Sequence, residues 1–203
     1  MPRHTRPRHF YEAFAALAHG ASDAARILHR IFAEPHPFTE LLAEMTEVER
    51  ATAEARQALV SGIEGVTVTP LDREDVHQVA SALGDLVSLL HDTARGVQNL
   101  HLTHTGEAAR ELSALLVRAT ACVEASVAQI RRPTAVIEKR TEMERISEEG
   151  QGVYDRASGI LFAGAPDAME VLRWKEVYDT LEQALGECRG VQNMLSSIAL
   201  ENQ

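Results

Sequence analysis

Apolar residues return every third or fourth position along almost the whole chain, the period of an α-helix with one buried face. Six such segments emerge. The first covers about 10–32 and sets Phe10, Phe14, Leu17, Ala21, Ala24, Leu28 and Ile31 on one face, with Pro35 and Pro37 closing it. The second, about 38–64, aligns Phe38, Leu41, Met45, Val48, Thr52, Ala55, Leu59 and Ile63, and ends at Gly65 and the β-branched run Val66-Thr67-Val68. The third has the clearest start: Thr69 can cap, Pro70 suits the first helical position, Asp72 sits three residues after Thr69, and Glu74 and Asp75 complement the positive end of the helix dipole. Its stripe is Val76, Val79, Leu83, Leu86, Val87, Leu90, Ala94 and Val97.

The fourth segment, about 106–131, buries Leu112, Leu115, Leu116, Ala119, Cys122, Val123 and Ile130, and stops at Arg131-Arg132-Pro133. The fifth, about 135–162, carries Ile137, Met143, Ile146, Val153, Ile160 and Leu161. The sixth follows Ala165-Pro166 and reaches about 200 through Val171, Leu172, Val177, Leu181, Leu185, Val191, Leu195 and Ile198. No strand pattern competes over more than a few residues, so the reading is an all-α bundle of long antiparallel helices.

The pattern also repeats. Thr46-Glu47-Val48-Glu49-Arg50 returns as Thr141-Glu142-Met143-Glu144-Arg145, and Arg95-Gly96-Val97-Gln98-Asn99-Leu100 returns as Arg189-Gly190-Val191-Gln192-Asn193-Met194. Near-equal offsets between segments of matching helix order predict two three-helix halves, about 10–102 and 104–200, within one domain spanning 1–203.

Composition supports helix: the chain is 45% hydrophobic but only 4% aromatic, and Ala, Leu, Glu and Arg dominate. A formal net charge of -10 argues against non-specific nucleic-acid binding, which needs a basic surface. Cys122 and Cys188 are the only cysteines and fall inside apolar helical patterns, which predicts two buried free thiols in a reducing compartment. No stretch approaches the roughly 20 apolar residues that span a bilayer. Residues 1–9, with Arg3, Arg6 and Arg8, precede no unbroken apolar run and read as a flexible basic arm rather than a signal peptide. The expected location is the cytoplasm.

Several segments carry a resemblance. Thr69-Pro70-Leu71-Asp72-Arg73-Glu74-Asp75-Val76 resembles the "TP-x-DRED-I" signature of the PhoU-like proteins, in particular the branch catalogued as domain-of-unknown-function family forty-seven. Leu161-Phe162 and Leu172-Arg173-Trp174-Lys175-Glu176-Val177-Tyr178 are similar to that branch's "LF" and "i-K-W-K-E-I-Y" segments, and the stretch from His9-Phe10 to Phe32 to its opening helix. The resemblance covers nearly the whole chain in order. It implies a six-helix fold of two three-helix repeats. It also implies a part in inorganic phosphate transport or its regulation, as a partner of Pit-type transporters or of a sensor, and a homodimer in many members.

PhoU-like proteins often carry E/D-x-x-x-D pairs on bundle helices, since residues four apart share a helix face and both carboxylates then reach one cation. Counted from the signatures above, those positions fall here at Glu49 and Ala53, Gly84 and Ser88, Ser147 and Gln151, and Glu182 and Gly186. Only Glu49 and Glu182 keep the acid. The expectation is a metal-free relative with degenerate motifs and no cofactor. The alternative is a carboxylate bundle that binds iron, zinc or magnesium through the residual Glu49 and Glu182; a register shifted by one turn would instead bring in Glu144 and Glu148, an i,i+4 acidic pair with Asp85, Asp92, Glu149 and Glu187 nearby, which otherwise read as solvated helix-surface acids.

Other chemistry is sparse. His101 and His104 sit in a polar connection and read as surface histidines, and His77 and His91 stand alone on the third helix. No Gly-rich phosphate loop, nucleophile elbow or Cys-x-x-Cys is present, so no enzyme is expected. Arg131 and Arg132 complement the negative end of the fourth helix. Trp174 has two open readings, a packed side chain between helices or an exposed anchor at a partner interface, and Arg73 and Lys175 are the accompanying interaction candidates.

Overall fold

The computed structural model describes residues 7–33, 38–64, 71–100, 106–163 and 167–201, apart from the side chains of 7–9 and 64. Six helices follow in order: α1 (Pro7–Ala33), α2 (Phe38–Glu64), α3 (Arg73–Asn99), α4 (Glu107–Ala128), α5 (Pro133–Leu161) and α6 (Ala168–Glu201). No strand occurs among the described residues, and the fold is an all-α bundle. The expected closing residues Pro35 and Pro37, the 65–70 connection with Thr69 and Pro70, His101 and His104, and Ala165-Pro166 lie outside the described residues, as do residues 1–6 of the expected arm. Pro7–His9 belong to α1, so that helix starts earlier than the apolar stripe alone indicates.

The start of α3 differs from expectation. Its cap is Asp72, not Thr69: Asp72 is extended (φ -58°, ψ 141°), and its Oδ1 accepts the Glu74 backbone N–H at 2.8 Å. The carboxylate thus satisfies one of the backbone donors that the first helical turn leaves open.

Packing sorts the helices into inner and outer members. α1 packs on α4, α4 on α6, α6 on α3 and α3 on α1, closing a ring of four. α2 touches only α1 and α3, and α5 only α4 and α6. This pairing maps onto itself when α1, α2 and α3 are exchanged for α4, α5 and α6. The stripes of α1, α3, α4 and α6 meet inside the ring, where Phe14, Leu17, Leu83, Leu90, Leu112, Leu116 and Leu181 are fully buried. α6 packs on three helices, α3, α4 and α5, where α5 packs on two, and it buries more of its length than α5 does.

Three expected core residues are exposed: Ile137 and Ile160 on α5, and Leu172 on α6. The reason is geometric. α5 is an outer helix that packs on α4 and α6 only, so the side carrying Ile137 and Ile160 faces solvent while Val136 faces inward. Two buried polar side chains bridge helices: Ser126 Oγ donates to Gln192 Oε1 at 2.9 Å, and Gln192 Nε2 donates to the Val136 carbonyl at 3.3 Å, tying α4, α5 and α6 together. Cys122 and Cys188 are buried free thiols.

Candidate functional site

Each outer helix leaves a cleft against its second inner neighbour. The α2–α3 cleft, of 360 Å³, is lined by Thr46, Glu49, Arg50, Thr52, Ala53 and Arg56 from α2, and by Gly84, Val87 and Ser88 from α3. The α5–α6 cleft, of 300 Å³, is lined by Glu144, Ser147, Glu148 and Gln151 from α5, and by Glu182, Leu185, Gly186 and Arg189 from α6. All eight positions counted from the motifs therefore reach a cleft, four in each. Period 3.6 places residues 49 and 53 on one face of α2, and 84 and 88 on the opposing face of α3; α5 and α6 do the same.

The chemistry in the α2–α3 cleft does not suit a cation. Glu49 Oε2 is 2.8 Å from His91 Nδ1, and His91 Nε2 is 3.2 Å from Thr46 Oγ1, so the one carboxylate is already engaged by a buried imidazole. Ala53 and Gly84 offer no ligand, and the Arg56 side chain lies against Gly84. A guanidinium in that place repels a metal ion.

The α5–α6 cleft differs from the sequence expectation. Glu144 and Glu148, the pair of the shifted register, line it together with Glu182, so this cleft is acidic rather than filled with neutral residues. Yet among the described residues no three Asp, Glu, His or Cys side chains converge closely enough to hold one ion. Glu144 instead faces Arg140 at 3.3 Å, one turn back on its own helix, and Arg189 enters the same cleft. Residues of neither cleft fit the metal centre that the family resemblance implies.

Trp174 resolves to the packed reading. It is 3% exposed, its ring lies 5.7 Å from that of Tyr178 at 32°, and a Cβ on Gly106 would stand 2.7 Å from its Cζ3. The indole therefore closes the start of α4 onto α6 and is not an exposed anchor; glycine at 106 leaves the space it occupies. Lys175 is half-buried beside it. Its Nζ donates to Tyr154 Oη at 2.9 Å and pairs with Asp179, while Tyr154 Oη donates to Asp179 Oδ1 at 2.7 Å. The hydrogen bond to Asp179 first, then that to Tyr154, raises the lysine above its ordinary value. Arg73 is exposed at the first turn of α3, at the far end of the bundle from Trp174.

The sequence reading missed that apolar side chains at the end of α5 and the start of α6 are exposed. Ile160, Phe162, Met169 and Leu172 are 55–76% exposed, and Met169 and Leu172 also edge a 510 Å³ groove against Gly96, Asn99 and Leu100 at the end of α3. A signal for it exists: Ile160, Leu161 and Phe162 are consecutive, and one helix face cannot bury three in a row.

Over its whole length the fold is that of known PhoU-like structures. A protein from Shewanella oneidensis MR-1 described as a "putative PhoU-like phosphate regulatory protein" superposes with a TM-score of 0.73 at 13% identity, covering 96% of this chain and 99% of that one. A second PhoU-like protein from the same organism gives a TM-score of 0.73 at 12% identity, with the same coverage. Among proteins compared by sequence, one from Rhizobium meliloti (strain 1021) named "Putative pit accessory protein" is 23% identical over 213 residues, covering all of this chain and 96% of that protein. UPF0111 protein YkaA of Bacillus subtilis (strain 168) is 23% identical over 143 residues, about two thirds of each chain. No family model matches the chain. These likenesses agree with the PhoU-like resemblance of its motifs, and none of the relatives' names denotes a catalytic activity.

Proposed function

We propose that this chain is a non-enzymatic accessory protein of inorganic phosphate transport, acting by docking on the cytoplasmic face of a Pit-type phosphate transporter. The observation that carries the reading is the exposed apolar group at the α5–α6 connection. Soluble surfaces rarely cluster side chains of this size without a partner to cover them. Its support on the side of identity is the full-length likeness to a protein named for an accessory role to Pit. None of the described helices is long and apolar enough to cross a membrane, so the contact we propose is peripheral. The two three-helix halves are, in this reading, a scaffold that holds the docking end rigid.

Cells lacking this chain are expected to show altered phosphate uptake through the transporter, restored by the wild type. Phe162→Asp with Leu172→Asp is expected to fail at restoration while changing stability by no more than about 0.5 kcal/mol per site, since both side chains are exposed. Normal restoration by that double variant contradicts the docking reading.

We also propose that no resident metal takes part. Purified protein is expected to carry well under a tenth of an equivalent of iron, zinc or magnesium, on the order of background for a site meant to be filled. Stoichiometric metal that is lost on Glu182→Gln would instead favour the carboxylate-bundle reading, for which the acidic α5–α6 cleft is the specific support.

A further inference from the structure

Charge is segregated at the end of the bundle where α1 begins and α4 finishes. Residues 1–11 hold Arg3, Arg6 and Arg8 and no acid, and residues 125–137 hold Arg131 and Arg132 and no acid. α1 and α4 pack side by side, which brings the two stretches to one corner. A groove of 870 Å³ runs between them, lined by Tyr11 and Glu12 from α1 and by Ile130, Arg131 and Arg132 beyond α4.

Arg131 and Arg132 are exposed, and neither has a carboxylate within ion-pair reach among the described residues. The next basic residues, Lys139 and Arg140, differ, since Glu142 and Glu144 engage them. Of the acids nearest in sequence, Glu12 shares the groove, Glu138 follows in the second turn of α5, and Glu124 is taken by His19 at 2.8 Å. The other acids of this end stand elsewhere. Asp72, Glu74 and Asp75 open α3, and Glu201 of α6 lies within electrostatic reach of Asp75. α3 is diagonal to α4 in the ring of four, so these acids and the arginines occupy opposite corners. The chain as a whole carries -10, but charges are screened beyond roughly 8 Å at physiological salt, and α1 alone, with 27 residues, is about 40 Å long. Acids along the bundle therefore do not cancel this corner.

We propose that the corner binds an anionic bilayer surface, through Arg131, Arg132 and the arginines that lead into α1. A layer of acidic lipid headgroups requires no fixed pocket, only positive charges that reach it together. Tyr11, half-buried on the groove, is of the aromatic type that settles at a membrane–water boundary. The proposal is independent of the docking reading, because the α5–α6 connection is at the opposite end. A bundle lying along the membrane presents both ends to its surface.

The test is flotation of the intact protein with phosphatidylcholine vesicles containing about 30% phosphatidylserine, at about 0.1 M salt. Recovery is expected to exceed that with phosphatidylcholine alone at least about tenfold, and to fall to that level at about 1 M salt, where screening shortens to roughly 3 Å. Arg131→Gln with Arg132→Gln is expected to weaken the partition at least about tenfold, the result of removing two charges that reach the surface. Arg118→Gln with Arg156→Gln removes as much charge from arginines paired with Glu149 and Glu111, and is expected to change the partition by less than about twofold. A thermal melt checks that each variant is folded. No recovery with acidic vesicles, equal recovery with phosphatidylcholine alone, or unchanged recovery of the Arg131 and Arg132 double variant overturns the proposal. An RNA oligomer that displaces the protein from acidic vesicles at equal phosphate concentration would reveal a general polyanion surface and overturn the bilayer assignment.

Discussion

Trp174→Ala is expected to lower stability by about 3–5 kcal/mol, the range for removing a fully packed aromatic side chain from a core. For a chain of 203 residues that is a fall of roughly 10 °C in the unfolding midpoint. The indole is 3% exposed, stacks obliquely on Tyr178, and sits against Gly106 where α4 begins. Its loss leaves a cavity that Tyr178 alone cannot fill, and the Gly106 backbone has no side chain with which to collapse into it. Lys175→Ala, one residue on, removes a surface pair with Asp179 and is expected to leave the midpoint nearly unchanged. Urea unfolding followed by circular dichroism checks both. A Trp174→Ala variant that loses under about 1 kcal/mol contradicts the packed assignment, since no fully buried indole is so easily removed.

The second large effect concerns the thiols. Burial, with a smaller contribution from Glu142, pushes the Cys122 thiol up to about 11, and burial, with Glu187 and Cys122 behind it, pushes Cys188 up to about 12. Both are expected to resist a thiol reagent in the native protein at neutral pH, reacting at least about a hundredfold more slowly than in urea. The same shifts set a sign for alkaline pH. Below the ordinary thiol value of 9.0 both states are protonated and the contribution is constant. Above it the unfolded chain ionises first, so stability falls as pH rises from 9 toward 11 and 12. Denaturant midpoints measured from pH 8 to 11 should therefore decline, and Cys188→Ala should lessen the decline. Rapid native labelling of either thiol contradicts the buried assignment.

The fold was legible because the bundle asks little beyond period and punctuation. The stripe from Phe10 to Ile31 is buried throughout, and α2 begins and ends within a residue of the breaks. Legibility failed where packing has one side only. Ile137 and Ile160 are apolar positions of α5, but an outer helix buries only the side that meets its two neighbours. The cap of α3 was misplaced for a local reason: Thr69 and Asp72 both have capping side chains, and spacing alone does not choose between them.

The candidate site was half legible. Counting from the signatures found the eight cleft positions, because helical register is preserved along a straight helix. It did not find which neighbours enter the clefts from the flanks. Arg56 lines the α2–α3 cleft from a position outside the motif and the buried His91 engages Glu49, while Glu144 and Glu148, named as the pair of a shifted register, make the α5–α6 cleft acidic. Charge in a cleft depends on rotamers and partner helices, which a single periodic pattern does not encode.

The central claim, that this bundle works by docking its α5–α6 end on a transporter, meets its most direct test in affinity capture. Tagged chain, cross-linked in cells and purified, is expected to bring down the Pit-type phosphate transporter, and Phe162→Asp with Leu172→Asp is expected to reduce that recovery at least about tenfold, in keeping with the loss of central apolar anchors from an interface. Recovery of the transporter at background levels with the wild type, or equal recovery with the double variant, would contradict the account.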